Sequence, residues 1–303
     1  MAKERSWIRN LVEYAGLLAG YVLLAWPPLA LSAGIARAAG DIWRLIDKRH
    51  RKLAVDQSMD RLGIDEAAAE RLVRDNYRHY ALAIMEVARL RRLSPAEALR
   101  RTNVNGFDEV MQGALAHGKG LVLVTGHVGN WEWGAVVGGM LGDVDGLIAR
   151  PLDNPHIDRF IREIRERTGA TVWDKLGSMR RALAALRSGK AIVAVVDQDG
   201  GRKGTPAPFL GKDSSTMSGP VDLAIRTGSP LFVGAMMRDP GPGRFTMVSK
   251  RVHWPDPAAD PGAERSRLAA EINADLSEII RAYPEQWIWI HRRWKTVLPK
   301  NDS

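Results

Sequence analysis

The residues best placed to do chemistry are His127 and Glu132, in the stretch Gly120-Leu-Val-Leu-Val-Thr-Gly-His127-Val-Gly-Asn-Trp-Glu132. A carboxylate can hold an imidazole in one tautomer and stabilise its protonated form, while the other ring nitrogen takes a proton from a substrate hydroxyl. Five residues advance a helix by about 500°, which leaves the two side chains roughly 140° apart around the axis. One continuous helix does not bring them face to face, so they meet only across a turn. The neighbouring residues supply one. Leu121 to Val124 are apolar and largely β-favouring, Gly126 and Gly129 permit a sharp loop, and Asn130 suits the cap of a helix whose first turn holds Glu132. Amides at such a helix start can stabilise an anion. Taken alone, the spacing also fits a histidine that only satisfies a buried polar contact.

The elements that must position this pair are legible as alternating patterns. Apolar segments at Leu121 to Val124, Ala191 to Val196 and Leu231 to Met236 alternate with helical patterns at Pro155 to Arg167 and Gly177 to Arg187. This predicts an α/β fold with a central sheet flanked by helices. The turn Asp239-Pro-Gly-Pro-Gly243 leads into a strand at Arg244 to Val252, and Leu268, Ile272, Leu276 and Ile279 mark an amphipathic helix. Gly63 to Arg101 reads as helical, with Leu72, Tyr77, Tyr80, Ala83, Ile84 and Val87 as a stripe suited to core packing. Asp197 and Gln198 follow the second apolar run, which places them at a strand end near His127.

The chain of 303 residues, 45% hydrophobic, is long enough for one sizeable core plus a modest appendage. A net charge of +9 points to an anionic partner: a membrane surface, an acidic carrier protein, a phosphorylated lipid or nucleic acid. With no cysteine, disulfides, thiolate metal sites and cysteine nucleophiles are excluded. Tyr14 to Ala36 is uncharged and mostly apolar, long enough to cross a hydrocarbon core of about 30 Å, although Pro27 and Pro28 would kink it or split it into a hairpin. Lys3, Arg5 and Arg9 also suit a signal peptide, a reading that Glu13 and the length of the run oppose. Arg37, Arg44, Lys48, Arg49, Arg51 and Lys52 follow, and by the positive-inside rule they favour a cytoplasmic body. The expected division is a membrane anchor over residues 1–45 and a catalytic domain over 46–303.

Gly113-Ala-Leu-Ala-His-Gly118-Lys119-Gly120 approaches a phosphate-binding loop but lacks the Ser/Thr for magnesium and precedes its strand, so a turn explains it better. No G-x-S-x-G elbow and no H-E-x-x-H motif is present. The expectation is direct transfer without metal, cofactor or covalent enzyme intermediate.

Four segments extend the argument: His127-Val-Gly-Asn-Trp-Glu132; Arg150-Pro-Leu-Asp-Asn154-Pro155; Asp197-Gln-Asp199 with Pro208-Phe-Leu-Gly211; and Pro284-Glu-Gln-Trp-Ile-Trp-Ile-His-Arg-Arg-Trp-Lys295. Together they span most of the chain. By them the sequence resembles the lysophospholipid acyltransferase superfamily, with its H-x4-D/E motif, and within it the bacterial late acyltransferases of lipid A biosynthesis. Trp294 stands where that pattern has phenylalanine, and Leu210 where it often has a second aromatic.

The resemblance implies a glycerolipid acyltransferase-like α/β fold with a mixed sheet and an N-terminal membrane-anchoring helix. It implies transfer of a fatty acyl chain from acyl carrier protein to a hydroxyl of a lipid A precursor at the cytoplasmic side of the inner membrane, with His127 as general base oriented by Glu132. Arg150, Asn154, Asp197, Gln198, Arg202 and Lys203 are the implied substrate-binding residues, with Arg150 suited to a phosphate and paired with Asp197. If so, Asp197→Ala should mimic Arg150→Ala. The terminal tryptophans suit either a lipid–water interface or core packing, and His291 reads as structural or substrate-positioning. Alternatives are an acyl-CoA donor with another glycolipid acceptor such as a phosphatidylinositol mannoside, a non-catalytic binder of anionic membranes or of nucleic acid, and thioester hydrolysis by water.

Overall fold

The apolar runs become the middle of a seven-stranded sheet. The computed structural model describes residues 6–141, 144–149, 151–168, 171–174 and 177–296. The sheet contains β1 (Thr102–Asn103), β2 (Leu121–Thr125), β3 (Val144–Ala149), β4 (Thr171–Asp174), β5 (Ala191–Val195), β8 (Leu231–Arg238) and β9 (Phe245–His253), while β6 (Thr205–Phe209) and β7 (Lys212–Thr216) form a separate antiparallel hairpin. The strand order is β1-β9-β8-β2-β5-β3-β4. The block from β8 to β4 is parallel throughout, and β9 joins β8 antiparallel, which makes the sheet mixed as expected.

Around the sheet stand α1 (Trp7–Ala25), α2 (Leu29–Ile46), α3 (Lys48–Leu62), α4 (Glu66–Leu90), α5 (Pro95–Arg100), α6 (Phe107–Leu115), α7 (Trp131–Met140), α8 (Pro155–Arg165), α9 (Ser178–Arg187), α10 (Gly219–Thr227) and α11 (Pro261–Ala282). Strand pleating divides the core between two faces. Val122 and Val124 of β2 pack with residues of α9, α10 and α11, and Leu121 and Leu123 with residues of α6, α7 and α8.

Two apolar stretches are broken where proline dictates. Tyr14 to Ala36 is not one helix: α1 ends at Ala25 and α2 begins at Leu29, because Pro27 and Pro28 cannot continue the hydrogen-bond ladder. The apolar run of α1 instead reaches back to Trp7, and α1 is long and apolar enough to cross a membrane. Its outer face exposes Trp7, Ile8, Val12, Val22 and Leu23, while Tyr14, Leu17 and Tyr21 pack inward. The helical pattern over Gly63 to Arg101 likewise divides, with Ser94 capping α5 through the amide of Glu97 and Pro95 at its first turn. Ile84, read as core, is 58% exposed on α4.

Candidate active site

In-register pairing of two parallel strands builds the site. Thr125 of β2 lies opposite Val195 of β5, and the ladder continues through a bond from the Val196 amide to the Thr125 carbonyl. His127 and Asp197 each stand two residues beyond that pair, so they emerge side by side at the carboxyl edge of the sheet, where α/β folds place their ligands. His127 Nδ1 lies 2.8 Å from Asp197 Oδ1, and the His127 backbone amide donates to Asp197 Oδ2 at 2.7 Å. Trp287 Nε1 donates to the same Oδ2 at 2.9 Å. Asp197 is wholly buried and His127 about one-quarter exposed. With Nδ1–H donating to the carboxylate, Nε2 is the acceptor, and it has no partner among the described residues.

The pair's electrostatics suit a base. Burial pushes the imidazole pKa down, but the charge and hydrogen bond of Asp197, aided by Glu132 and opposed by Arg165, outweigh it and leave His127 above its ordinary value. Burial pushes Asp197 up, yet the charge of His127 and the hydrogen bonds from His127 and Trp287 hold it below the usual carboxylate range.

Glu132 does not orient the imidazole by a hydrogen bond. It lies in the first turn of α7, as expected, with Asn130 Oδ1 accepting from the Trp133 amide at 3.1 Å. Its carboxylate, however, faces the last residue of α8: Arg165 Nε donates to Oε2 at 2.7 Å, and Arg165 Nη2 to Oε1. The carboxylate that meets the imidazole is Asp197. Sequence adjacency favoured Glu132, whereas strand register brings in a residue seventy positions away.

The other expected site residues divide. Arg150 lies outside the described residues, and the oxygens of Asp197 bond to His127 and Trp287. Asn154 is a buried helix cap, with Oδ1 accepting from the His156 amide and Nδ2 donating to the Asn10 carbonyl and Glu13. Gln198 is half-buried beside Asp197. Arg202 and Lys203 are exposed on a 3₁₀ turn, and no contact to His127 or Asp197 is found for them among the described residues.

The terminal motif is a support. Trp287 and Trp289 are wholly buried, which settles their two readings in favour of core packing. Val128 bridges Trp287, and the Ile288 amide donates to the His127 carbonyl at 3.1 Å. Arg293 clamps the β6–β7 hairpin through the Ser215 carbonyl and Thr216 Oγ1. His291 Nε2 accepts from the Asp199 amide at 3.2 Å, and burial holds its pKa below the ordinary value. Sequence reasoning missed Arg165, which carried no spacing signal, and quoted Asp199 only within its segment, with no role for the carboxylate that here receives Thr296.

A cavity of about 380 Å³, within the range of roughly 300–1,000 Å³ typical of ligand sites, is lined in part by Asn130, Trp131 and Glu132. Leu17 and Tyr21 of α1, Ala83 and Val87 of α4 and Phe160 of α8 make its apolar wall. The Trp131 ring meets that of His127 edge-on, with centroids 5.1 Å apart.

Residues 1–296 match the family described as bacterial lipid A biosynthesis acyltransferase. The chain belongs to that family. It is thus an acyltransferase, taking an acyl donor and a lipid acceptor. It is similar to the lipid A biosynthesis palmitoleoyltransferase of Escherichia coli strain K12, 25% identical over 231 residues (75% of this chain, 72% of the relative), and to the lauroyltransferase of the same organism, 26% over 235 residues (77% and 74%). It is also similar to the phosphatidylinositol mannoside acyltransferase of Mycolicibacterium smegmatis, 26% identical over 228 residues (74% and 72%).

Proposed function

We propose that the protein transfers a fatty acyl chain from an acyl carrier protein thioester to a hydroxyl of a lipid A precursor, with His127 as general base and Asp197 as the carboxylate that orients it. The observation that carries this reading is the His127–Asp197 pair, with Nε2 uncommitted, beside an apolar cavity. The acceptor hydroxyl gives its proton to Nε2 as its oxygen attacks the thioester carbon. A C–O bond forms, the C–S bond breaks, and the imidazolium returns the proton to the departing thiolate. General-base assistance supplies about 10²- to 10⁴-fold, so positioning and oxyanion stabilisation carry the rest. The Trp131 and Glu132 amides at the start of α7 are the donors available for that oxyanion.

In this reading the cavity takes the acyl chain and α1 attaches the enzyme to the inner membrane with the catalytic residues on the cytoplasmic side. The basic surface suits an acidic carrier. Gly20 lines the cavity, and a Cβ built on it meets nothing within 4 Å. Gly20→Leu is expected to fit and to shorten the space, lowering transfer of the longest accepted chain by about tenfold against one two to four carbons shorter. A donor chain-length series checks this.

The second reading has acyl-CoA as donor and a phosphatidylinositol mannoside as acceptor, and its acceptor is favoured by the similar identity to relatives named for that lipid. Labelled acyl carrier protein and acyl-CoA, each offered with both acceptors in detergent micelles, separate the two. Transfer from the carrier to the lipid A precursor is expected; transfer only from acyl-CoA to the mannoside would overturn the first reading.

A further inference from the structure

The base is carried on a five-residue loop, 126–130, and three of the groups that hold this loop come from α4. The Tyr80 hydroxyl donates to the His127 carbonyl at 3.1 Å. His79 Nε2 donates to the Gly129 carbonyl at 3.1 Å, and Glu86 Oε2 accepts from Asn130 Nδ2 at 3.0 Å. His79 and Glu86 are seven residues apart, two helical turns, and so share a face. Both are almost wholly buried, as is Arg238 at the end of β8.

Arg238 links them. Its Nε and Nη2 donate to the two oxygens of Glu86 at 2.6 and 2.7 Å, and its Nη1 donates to His79 Nδ1. A guanidinium has no acceptor, so this contact obliges His79 Nδ1 to be the bare nitrogen and places the single ring proton on Nε2, facing Gly129. Burial, reinforced by the Arg238 charge, holds the His79 pKa well below its ordinary value, in keeping with a neutral ring. The Arg238 backbone also exchanges bonds with the Gln286 side chain, and the Gln286 backbone carbonyl accepts from the Gly129 amide.

We propose that Glu86, Arg238 and His79 are positioning residues for the reaction. Arg238 fixes the tautomer of His79, His79 and Glu86 fix Gly129 and Asn130, and the loop so fixed sets the reach of His127 Nε2. The inference rests on His127 being the base. A buried ion pair is weak evidence for stability, since the desolvation of two charges can exceed their attraction. Apart from the Gly243 amide, which donates to Glu86 Oε1, the side-chain bonds of this pair run to the loop or to the groups that hold it.

The test compares His79→Phe, which removes both ring nitrogens, with His79→Gln, whose amide can still donate to Gly129, by kcat, KM and melting temperature. His79→Phe is expected to lower kcat by about 10- to 100-fold with KM for the acceptor nearly unchanged, and His79→Gln to recover most of that loss. In a His127→Ala background, His79→Phe should have no further effect on kcat, because the group it positions is gone. If His79→Phe does not fold, His79→Asn carries the comparison, its amide being too short to span both partners. A folded His79→Phe or His79→Asn enzyme with wild-type kcat, or losses that simply add to those of His127→Ala, would assign the network to fold support alone. Activity retained by His127→Ala itself would overturn the assignment of the base, a failure distinct from that of the positioning inference.

Discussion

Asp197→Asn is expected to lower kcat/KM by about 10²- to 10⁴-fold and to move the acid limb of its pH profile downward. In the wild type, the base is active only when neutral. The charges facing it are Asp197 from the β5 end, Glu132 of α7 and Arg165 of α8. Burial alone would push its pKa down, and Asp197 outweighs that, so the neutral form is gained as pH rises through a value above the ordinary 6.5. An uncharged amide removes the largest raising influence and leaves burial in place, so the imidazole deprotonates at lower pH. The amide can also present its N–H₂ to Nδ1, which puts the ring proton on Nε2, the nitrogen that must accept from the substrate. The rate therefore falls although more of the ring is neutral. Initial rates of transfer from about pH 5 to 9 measure both effects. An unchanged limb in a folded Asp197→Asn enzyme would show that the pair does not set the base.

Gly129→Ala is expected to have the second large effect, on the fold as well as the rate. Gly129 has φ +64°, and a Cβ built on it lies 2.0 Å from the Met236 carbonyl oxygen and 2.7 Å from the carbonyl carbon. Both obstacles are backbone in a central strand. The left-handed conformation and the forced shift together cost about 2–4 kcal/mol. Since Asn130 N donates to that same carbonyl at 2.7 Å, relief of the clash must also move the start of α7 and, with it, the loop bearing His127. Thermal unfolding should show the loss of stability. Residual transfer in the protein that remains folded should fall by at least about tenfold, since misplacement of a base by about 1 Å can cost 10²-fold.

The parts of the site legible in the sequence are those that local patterns determine. The apolar runs of β2, β5 and β8, the glycines of the loop and the cap at Asn130 all fall where spacing put them. Three further strands of the sheet escaped, among them β1, only two residues long. β3 carries Asp145 and Gly146 within six residues, and Gly146 is needed because the Trp173 ring lies 2.3 Å from where its Cβ would be. β4 is only four residues long. The β6–β7 hairpin is hidden by Pro206 and Pro208, which depress strand propensity. The hydrogen-bond partner of His127 differs from the expected one for a different reason. Glu132 is near His127 in sequence, and the apolar run before Asp197 put that residue at a strand end near His127, but which carboxylate meets the ring depends on the register between β2 and β5, a tertiary fact.

The most direct test of the account is acyl transfer from a labelled acyl carrier protein to a lipid A precursor in detergent micelles, wild type against His127→Ala, with the folded state of each verified by melting. The wild type should transfer the chain and His127→Ala should fall by about 10²- to 10⁴-fold. Equal transfer by two equally folded proteins would contradict the assignment of His127 as the base.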